Sequence, residues 1–222
     1  IIPLQETHGE PGEIEAFISS TLPGWKTFAS GARDEEDRFS PGAGGVATLI
    51  APSLWDQVSH SEVNILIPGR CVAVSLAIDS FNINILNVHN FELSNRQVSG
   101  IGRHISAWRL ATLDSPESNL SIVLGDLNFP NPSDRVFRPS VAIDSVVSEP
   151  GADNIPIHYS TRYYKWSSIL NEWLELEQPL PTHFNPQGPT LKRLDRAWVD
   201  LPAHLISKIQ VHAEILVPPE VL

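Results

Sequence analysis

The stretch Ser121-Ile122-Val123-Leu124-Gly125-Asp126-Leu127-Asn128-Phe129-Pro130 passes within one short segment from apolar to oxygen-bearing residues. Ile122, Val123 and Leu124 form a continuous apolar run, the pattern of a strand buried on both faces. Gly125 ends the run, and Asp126 and Asn128 follow one residue apart. Residues i and i+2 of an extended backbone point the same way, so both side chains reach one side of a cleft. Pro130 and Pro132 stop any continuation of the strand. A hard cation such as Mg²⁺ takes carboxylate and amide oxygens, which this strand end could supply or orient. The same residues also suit a plain Asx turn, with Asp and Asn bonding the local backbone. Taken alone the stretch fits the turn, and residues elsewhere in the chain change that balance.

The 222 residues fit a single domain over 1–222, and 41% hydrophobic content supports a sizeable core. No apolar run approaches the ~20 residues of a membrane span. No N-terminal stretch has the charged, apolar and small-residue order of a signal peptide. The single Cys71 precludes an intrachain disulfide framework and, set in an apolar strand, reads as core. Together these features favour an intracellular, reducing location. Nineteen prolines predict long ordered loops between short elements. Methionine is absent even from position 1, which predicts a piece of a longer chain. The net charge of −11 argues against a broad basic surface for nucleic acid. It leaves room for a local basic track or a metal-bridged phosphate contact.

Along the chain, residues 1–5 read as the end of a strand, with Glu6, Thr7 and His8 at its mouth. Ile14, Phe17 and Ile18 have the spacing of a short amphipathic helix over 11–20. Residues 31–41 read as a polar loop whose acidic run at 34–37 is a solvated face. Residues 44–52 predict a buried strand, and 70–79 with 81–89 predict a hairpin turning at Asp79-Ser80. Residues 94–113 predict the best helix, with Val98, Ile101, Ile105 and Trp108 in phase. A Pro-rich loop runs on through Arg138, and 162–176 predicts a second helix whose Trp166, Ile169, Leu170, Trp173 and Leu174 share a core face. Residues 193–199 and 209–217 read as further strands. The expectation is an α/β domain (α+β type) with a two-sheet core flanked by helices.

Four strand ends thus carry polar groups: Glu6, His89, Asp126 with Asn128, and Asp195. An unpaired charge at the end of an apolar run is costly unless it has work to do. Several carboxylates, an Asn and a His in this placement suggest a metal and phosphate site, the oxygens holding a cation and the imidazole managing a proton. Each residue also has a plain alternative; Asp195 could pair with Arg193 or Arg196. His8, Asn87, Asn90 and Thr190 lie beside these motifs as candidate cleft residues. His104, His158, His183 and His212 lack metal-ligand spacing, and Arg96, Arg103 and Arg109 suit solvated charges as readily as phosphate contacts.

The segments Leu4-Gln5-Glu6-Thr7, Gly44-Gly45-Val46-Ala47, Asn87-Val88-His89, Gly125-Asp126-Leu127-Asn128-Phe129 and Arg193-Leu194-Asp195-Arg196, in that order, resemble the endonuclease/exonuclease/phosphatase superfamily. The resemblance spans essentially the whole chain. It implies a four-layer sandwich of two central, mainly antiparallel sheets flanked by helices, and Mg²⁺- or Mn²⁺-dependent hydrolysis of phosphate esters. By resemblance Glu6 is the metal-ligand glutamate, Asp126 activates the attacking water, and Asn128 holds a phosphate oxygen and that water. Asp195 resembles the carboxylate that orients the family's final histidine, and His89 a donor to a phosphate oxygen or leaving group.

Two parts of the family pattern, an upstream Trp-Asn and a closing Ser-Asp-His-x-Pro, are not found in the sequence. The expectation is therefore a weak or inactive fragment, missing the first strand and the final segment, of an active parent. Leu-Gln-Glu-Thr-His and the retroelement-like Arg-Leu-Asp-Arg favour a nucleic-acid phosphodiesterase, endonuclease-like, with a retroelement as one expected origin. The alternatives are a phosphatase of inositol phosphates or other small phosphate esters, and a non-catalytic binding domain. The partner expected is nucleic acid or another phosphate ester, with the chain acting as a monomer.

Overall fold

The computed structural model describes residues 1–33, 38–40, 44–115, 118–129, 137–139, 146–148, 161–176, 183–185, 190–192 and 195–200. Strands β1 (Ile2–Gln5), β2 (Lys26–Ser30) and β3 (Val46–Ile50) make a three-stranded antiparallel sheet ordered β1-β3-β2. Helix α1 (Pro11–Thr21) precedes β2, and the short α2 (Pro52–Trp55) follows β3. The larger sheet draws on β4 (His60–Ile67), β5 (Cys71–Ile78), β6 (Phe81–His89) and β7 (Asn119–Asp126). Helix α3 (Asn95–Asp114) carries the chain between β6 and β7, which pair in parallel.

Beyond β7 come the short strands β8 (Phe137–Pro139) and β9 (Val146–Ser148), then helix α4 (Thr161–Ile169). The last strands are β10 (Leu174–Glu175), β11 (His183–Asn185), β12 (Thr190–Lys192) and β13 (Asp195–Asp200). Strands β10 and β13 complete a six-stranded sheet ordered β10-β13-β7-β6-β5-β4, while β11-β12-β8-β9 form a small third sheet.

Alternation along the strands builds the layers, because successive side chains face opposite ways. Between the three-stranded and six-stranded sheets, Phe28, Val46 and Ile50 pack on Val72, Val74, Leu76, Ile83, Ile85 and Leu124. On the far side of the large sheet, Cys71, Ala73, Leu86, Val88 and Val123 meet Val98, Ile101 and Ile105 of α3 and Trp166 of α4. On the far side of the small sheet, Ala47 and Leu49 meet Ile14 and Ile18 of α1. Helix, sheet, sheet, helix is the four-layer order expected. Cys71 is fully buried in the helix-side cluster, and burial raises its thiol pKa. Among the described residues no helix is long and apolar enough to cross a membrane.

The structure revises several local expectations. Phe17 is 67% exposed, because α1 rests on the sheet by Ile14 and Ile18 alone among its buried residues. Helix α4 ends at Ile169, and a turn then leads Leu174 and Glu175 into β10, so Leu174 leaves the core face. Strand pairing with Val199 and Trp198 outcompetes the helical periodicity there. Strands β2 and β4 were not expected from the sequence. In β4 the register shifts between Ile65 and Ile67, so its apolar residues change face midway and the alternation is broken. The acidic run at 34–37, the loop at 130–136 and the strand expected at 209–217 lie outside the described residues.

Candidate active site

Three strand ends line up as one row. Val88 pairs with Gly125 and His89 with Asp126 across β6 and β7, and Asp126 pairs with Asp195 across β7 and β13. Leu124 and Ala197, two residues back from Asp126 and two on from Asp195, belong to the core between the sheets. By the same alternation Asp126 and Asp195 face that inner side, toward the three-stranded sheet. The row forms because β6, β7 and β13 are neighbours, although their residues lie far apart in sequence.

The opposite wall comes from the small sheet. Glu6 follows β1 directly, and its Oε1 stands 3.6 Å from Nε2 of His89. Glu6 at φ 53° and His8 at φ 51° bend the chain through the left-handed region just where it leaves the strand. That bend is stitched to the Gly44-Gly45 segment by Thr7 N–H to the Gly45 carbonyl (3.3 Å) and His8 N–H to the Gly44 carbonyl (2.9 Å). A β-carbon on Gly45 would stand 2.4 Å from Thr7 Oγ1, which accounts for glycine at this point of the Gly44-Gly45 motif.

Asp126 makes the Asx turn weighed above. Its Oδ1 accepts from Asn128 N–H at 2.8 Å and its Oδ2 from Asn128 Nδ2 at 3.3 Å, with Asn128 at φ 53°. The turn does not compete with the site: it holds the carboxylate at the cleft and aims Asn128 beside it. Gly125, at φ 133°, makes the approach possible, since a β-carbon there would lie 2.0 Å from the Val88 carbonyl oxygen.

His89 is only 1% exposed. The Arg70 guanidinium donates to its Nδ1 at 2.9 Å, and Phe91 stacks on the ring with centroids 5.8 Å apart and planes inclined by 20°. Arg70 also sits over the Phe91 ring, 5.3 Å from its centroid. Burial, then the Arg70 charge, pushes the His89 pKa down to about 4, against the opposing pull of Glu6; His8 adds to the lowering. Among the described residues its Nε2 has no hydrogen-bond partner. Neither Arg70 nor Phe91 was singled out from the sequence. An arginine opening a strand looks like an ordinary solvated charge, and only the pairing of β5 with β6 brings it to His89.

Of the other expected cleft residues, Asn87 is fully buried and joins the two sheets instead. It accepts from Gln5 Nε2 at 2.6 Å and donates to the Ala47 carbonyl at 2.8 Å. Asn90 is likewise buried and donates to the Leu127 carbonyl at 2.6 Å, bracing the turn after β7. His8 is exposed at the rim, and Thr190 opens β12 in the third sheet. Arg109 is ion-paired with Glu172, while Arg96 and Arg103 line a separate hollow with Leu66, Ile67 and Gly100. His104 packs edge-on against Trp108 at 4.6 Å, and His158 and His212 lie outside the described residues. Arg196 is buried, donating to Glu175 at 2.5 Å and to the Phe129 carbonyl at 3.4 Å.

Among the described residues no three His, Cys, Asp or Glu side chains gather as a closed metal cage. The donors present are nevertheless hard oxygens: Glu6, whose side chain is 62% exposed at the mouth, and the carboxyl and amide groups of the facing row. That set fits a cation which keeps several waters and takes only one or two carboxylates.

The sequence model of the Endonuclease/Exonuclease/phosphatase family matches residues 1–217. The chain belongs to this family. No curated protein matches the chain significantly in sequence. Among solved structures, AP endonuclease LMAP from Leishmania major superposes with a TM-score of 0.63 at 16% identity, covering 92% of this chain and 70% of its own. The 3′-5′ exonuclease NExo from Neisseria meningitidis gives 0.53 at 16% identity, covering 89% of this chain and 75% of its own. A NExo variant described as a 3′ phosphatase bound to product DNA hairpin gives 0.54 at 15% identity, with 90% and 76% covered. At these identities the endonuclease/exonuclease/phosphatase member shares with them its α/β fold.

Proposed function

We propose that this chain is a Mg²⁺- or Mn²⁺-dependent phosphodiesterase acting on nucleic acid. The observation that carries the reading is the row of His89, Asp126 and Asp195 across three adjacent strands, with Glu6 brought to 3.6 Å of His89 from the other sheet. Glu6 would hold the cation, which when bound offsets negative charge on the phosphate. Asp126 takes the proton of the attacking water, its carboxylate fixed for that task by the two bonds from Asn128. Asn128 orients the water and a phosphate oxygen. His89 meets a phosphate oxygen, and Asp195 supplies the carboxylate that in the family resemblance orients an imidazole.

The nucleic-acid reading draws support from the fold shared with an AP endonuclease and an exonuclease. The test is a panel of abasic duplex, 3′-phosphorylated hairpin, plasmid DNA, RNA and inositol phosphates, each with Mg²⁺ and with chelator. The expected result is Mg²⁺-dependent cleavage of a nucleic-acid strand that falls at least ~10²-fold in Asp126→Asn. Release of phosphate from inositol phosphates alone would assign the chain to small phosphate esters. DNA binding without hydrolysis would make it a binding module.

A further inference from the structure

We propose that Arg70 is a positioning residue that fixes His89 as the tautomer with its proton on Nε2, so that the ring presents a standing hydrogen-bond donor to the cleft. That this donor meets a phosphoryl oxygen rests on the function proposed above; the tautomer itself does not.

The argument begins with what a guanidinium can do. It carries five N–H donors, has no acceptor, and does not lose its proton in proteins. A 2.9 Å contact between Arg70 Nη1 and His89 Nδ1 therefore requires a bare lone pair on Nδ1. A neutral imidazole carries one N–H, which must then sit on Nε2. Nε2 is buried and has no hydrogen-bond partner among the described residues, with Glu6 Oε1 beyond hydrogen-bond reach at 3.6 Å. The proton is thus aimed toward Glu6, from a residue paired with Asp126 across β6 and β7.

Three further contacts hold Arg70 in place. Its backbone carbonyl accepts from His89 N–H at 2.8 Å, so main chain and side chain register the same pair. Its guanidinium occupies the space left by the absent side chain of Gly44, where a β-carbon would lie 2.3 Å from Nη1. Phe91 completes the enclosure, with the guanidinium carbon 5.3 Å and the imidazole 5.8 Å from its centroid. Arg70 and His89 must lie on one side of that ring, because a sandwich would separate them by far more than their hydrogen bond allows. The other side of Phe91 accounts for its 45% exposure. His89 is thereby gripped through one nitrogen and one ring face, and its Nε2 edge is left turned toward Glu6.

The experiment is long-range ¹H–¹⁵N correlation of the ¹⁵N-histidine-labelled chain without metal, His89 being assigned by loss of its signals in His89→Asn. The expected wild-type pattern is an unprotonated Nδ1 and a protonated Nε2. Arg70→Met should move both resonances toward the averaged positions of a free tautomer mixture, and Arg70→Lys should restore the Nε2–H pattern. A proton on Nδ1 in the wild type, or an unchanged pattern in Arg70→Met, overturns the proposal. Should Arg70→Met not fold, Arg70→Gln takes its place: a neutral amide can donate or accept, so both ring resonances should move toward the averaged positions, and unmoved resonances overturn the proposal equally. If the chain hydrolyses a phosphate ester, Arg70→Met should lower kcat by about 10- to 100-fold with little change in KM. The spectra need no turnover, so an inactive chain with Nε2–H defeats the functional reading and leaves this one standing.

Discussion

Gly125 stands where the backbone of β7 comes closest to β6, and its substitution is the sharpest single-residue test of the cleft. Alanine there must adopt φ 133° and place its β-carbon 2.0 Å from the Val88 carbonyl oxygen. Gly125→Ala should cost on the order of 3 kcal/mol or more, read from its urea midpoint, because the atoms it would meet belong to the Val88 backbone and cannot swing aside. Glu6 makes the opposite case. A non-glycine residue at φ 53° carries roughly 1–2 kcal/mol of strain, so Glu6→Gly should raise stability by about 1 kcal/mol while abolishing metal-dependent activity. His89 adds a pH dependence. Its folded pKa of about 4 lies below the ordinary 6.5, so the unfolded chain binds more protons between those values. This contribution is complete above pH 6.5 and is lost as pH falls toward 4, by on the order of 2–3 kcal/mol. Urea midpoints in chelator from pH 7.5 to 4.5 should show that slope for the wild type and a flatter one for His89→Asn. At this scale the sequence marks polar residues that bound apolar runs, as Glu6, His89, Asp126 and Asp195 do, and the fold places them at neighbouring strand ends. Arg70 gave no such signal, since its meaning lies in a partner reached only through strand pairing.

Elements whose patterning agreed with their final environment were readable in advance. Strands β5 and β6 with their turn at Asp79, and helix α3 with Ser94 as its cap, have this property. Ser94 Oγ accepts from Gln97 N–H at 3.3 Å while Gln97 Oε1 accepts from Ser94 N–H at 2.8 Å, a reciprocal cap. Where two environments succeed each other within one element, the pattern misled. The bulge in β4 and the passage from α4 into β10 both mix periods. Asn87 shows a different limit: in sequence it looked like a cleft residue, yet it is the polar tie between β6 and both β1 and β3. Its two donor bonds, to the Leu4 carbonyl at 3.2 Å and the Ala47 carbonyl at 2.8 Å, serve strand backbones of the small sheet. Asn87→Leu should leave the Ala47 carbonyl and the Gln5 amide without this partner and cost about 3 kcal/mol in denaturant. Because β1 ends at Glu6, the same variant should also loosen the Glu6–His89 approach, seen as weaker Mn²⁺ binding by titration calorimetry.

Over the whole molecule, the sandwich forms its cleft by letting the two sheets run out of apolar side chains at one end. Glu6 on one sheet and the Asp126–Asp195 row on the other then face across the gap, and all three are acidic in a chain of net charge −11. Such a surface repels a polyanion at long range, and Arg70 is largely occupied by His89, Phe91 and the Gly44 backbone. On the function proposed above, a divalent cation held by these oxygens would offset that repulsion. At constant ionic strength, raising Mg²⁺ from zero to millimolar should tighten binding of a labelled DNA hairpin by about tenfold or more, a gain of at least ~1.4 kcal/mol. Glu6→Gln should remove most of that gain while leaving the weak cation-free binding unchanged. Fluorescence anisotropy at matched ionic strength reads both effects, and an affinity indifferent to Mg²⁺ would show that the acidic cleft does not recruit its phosphate through metal.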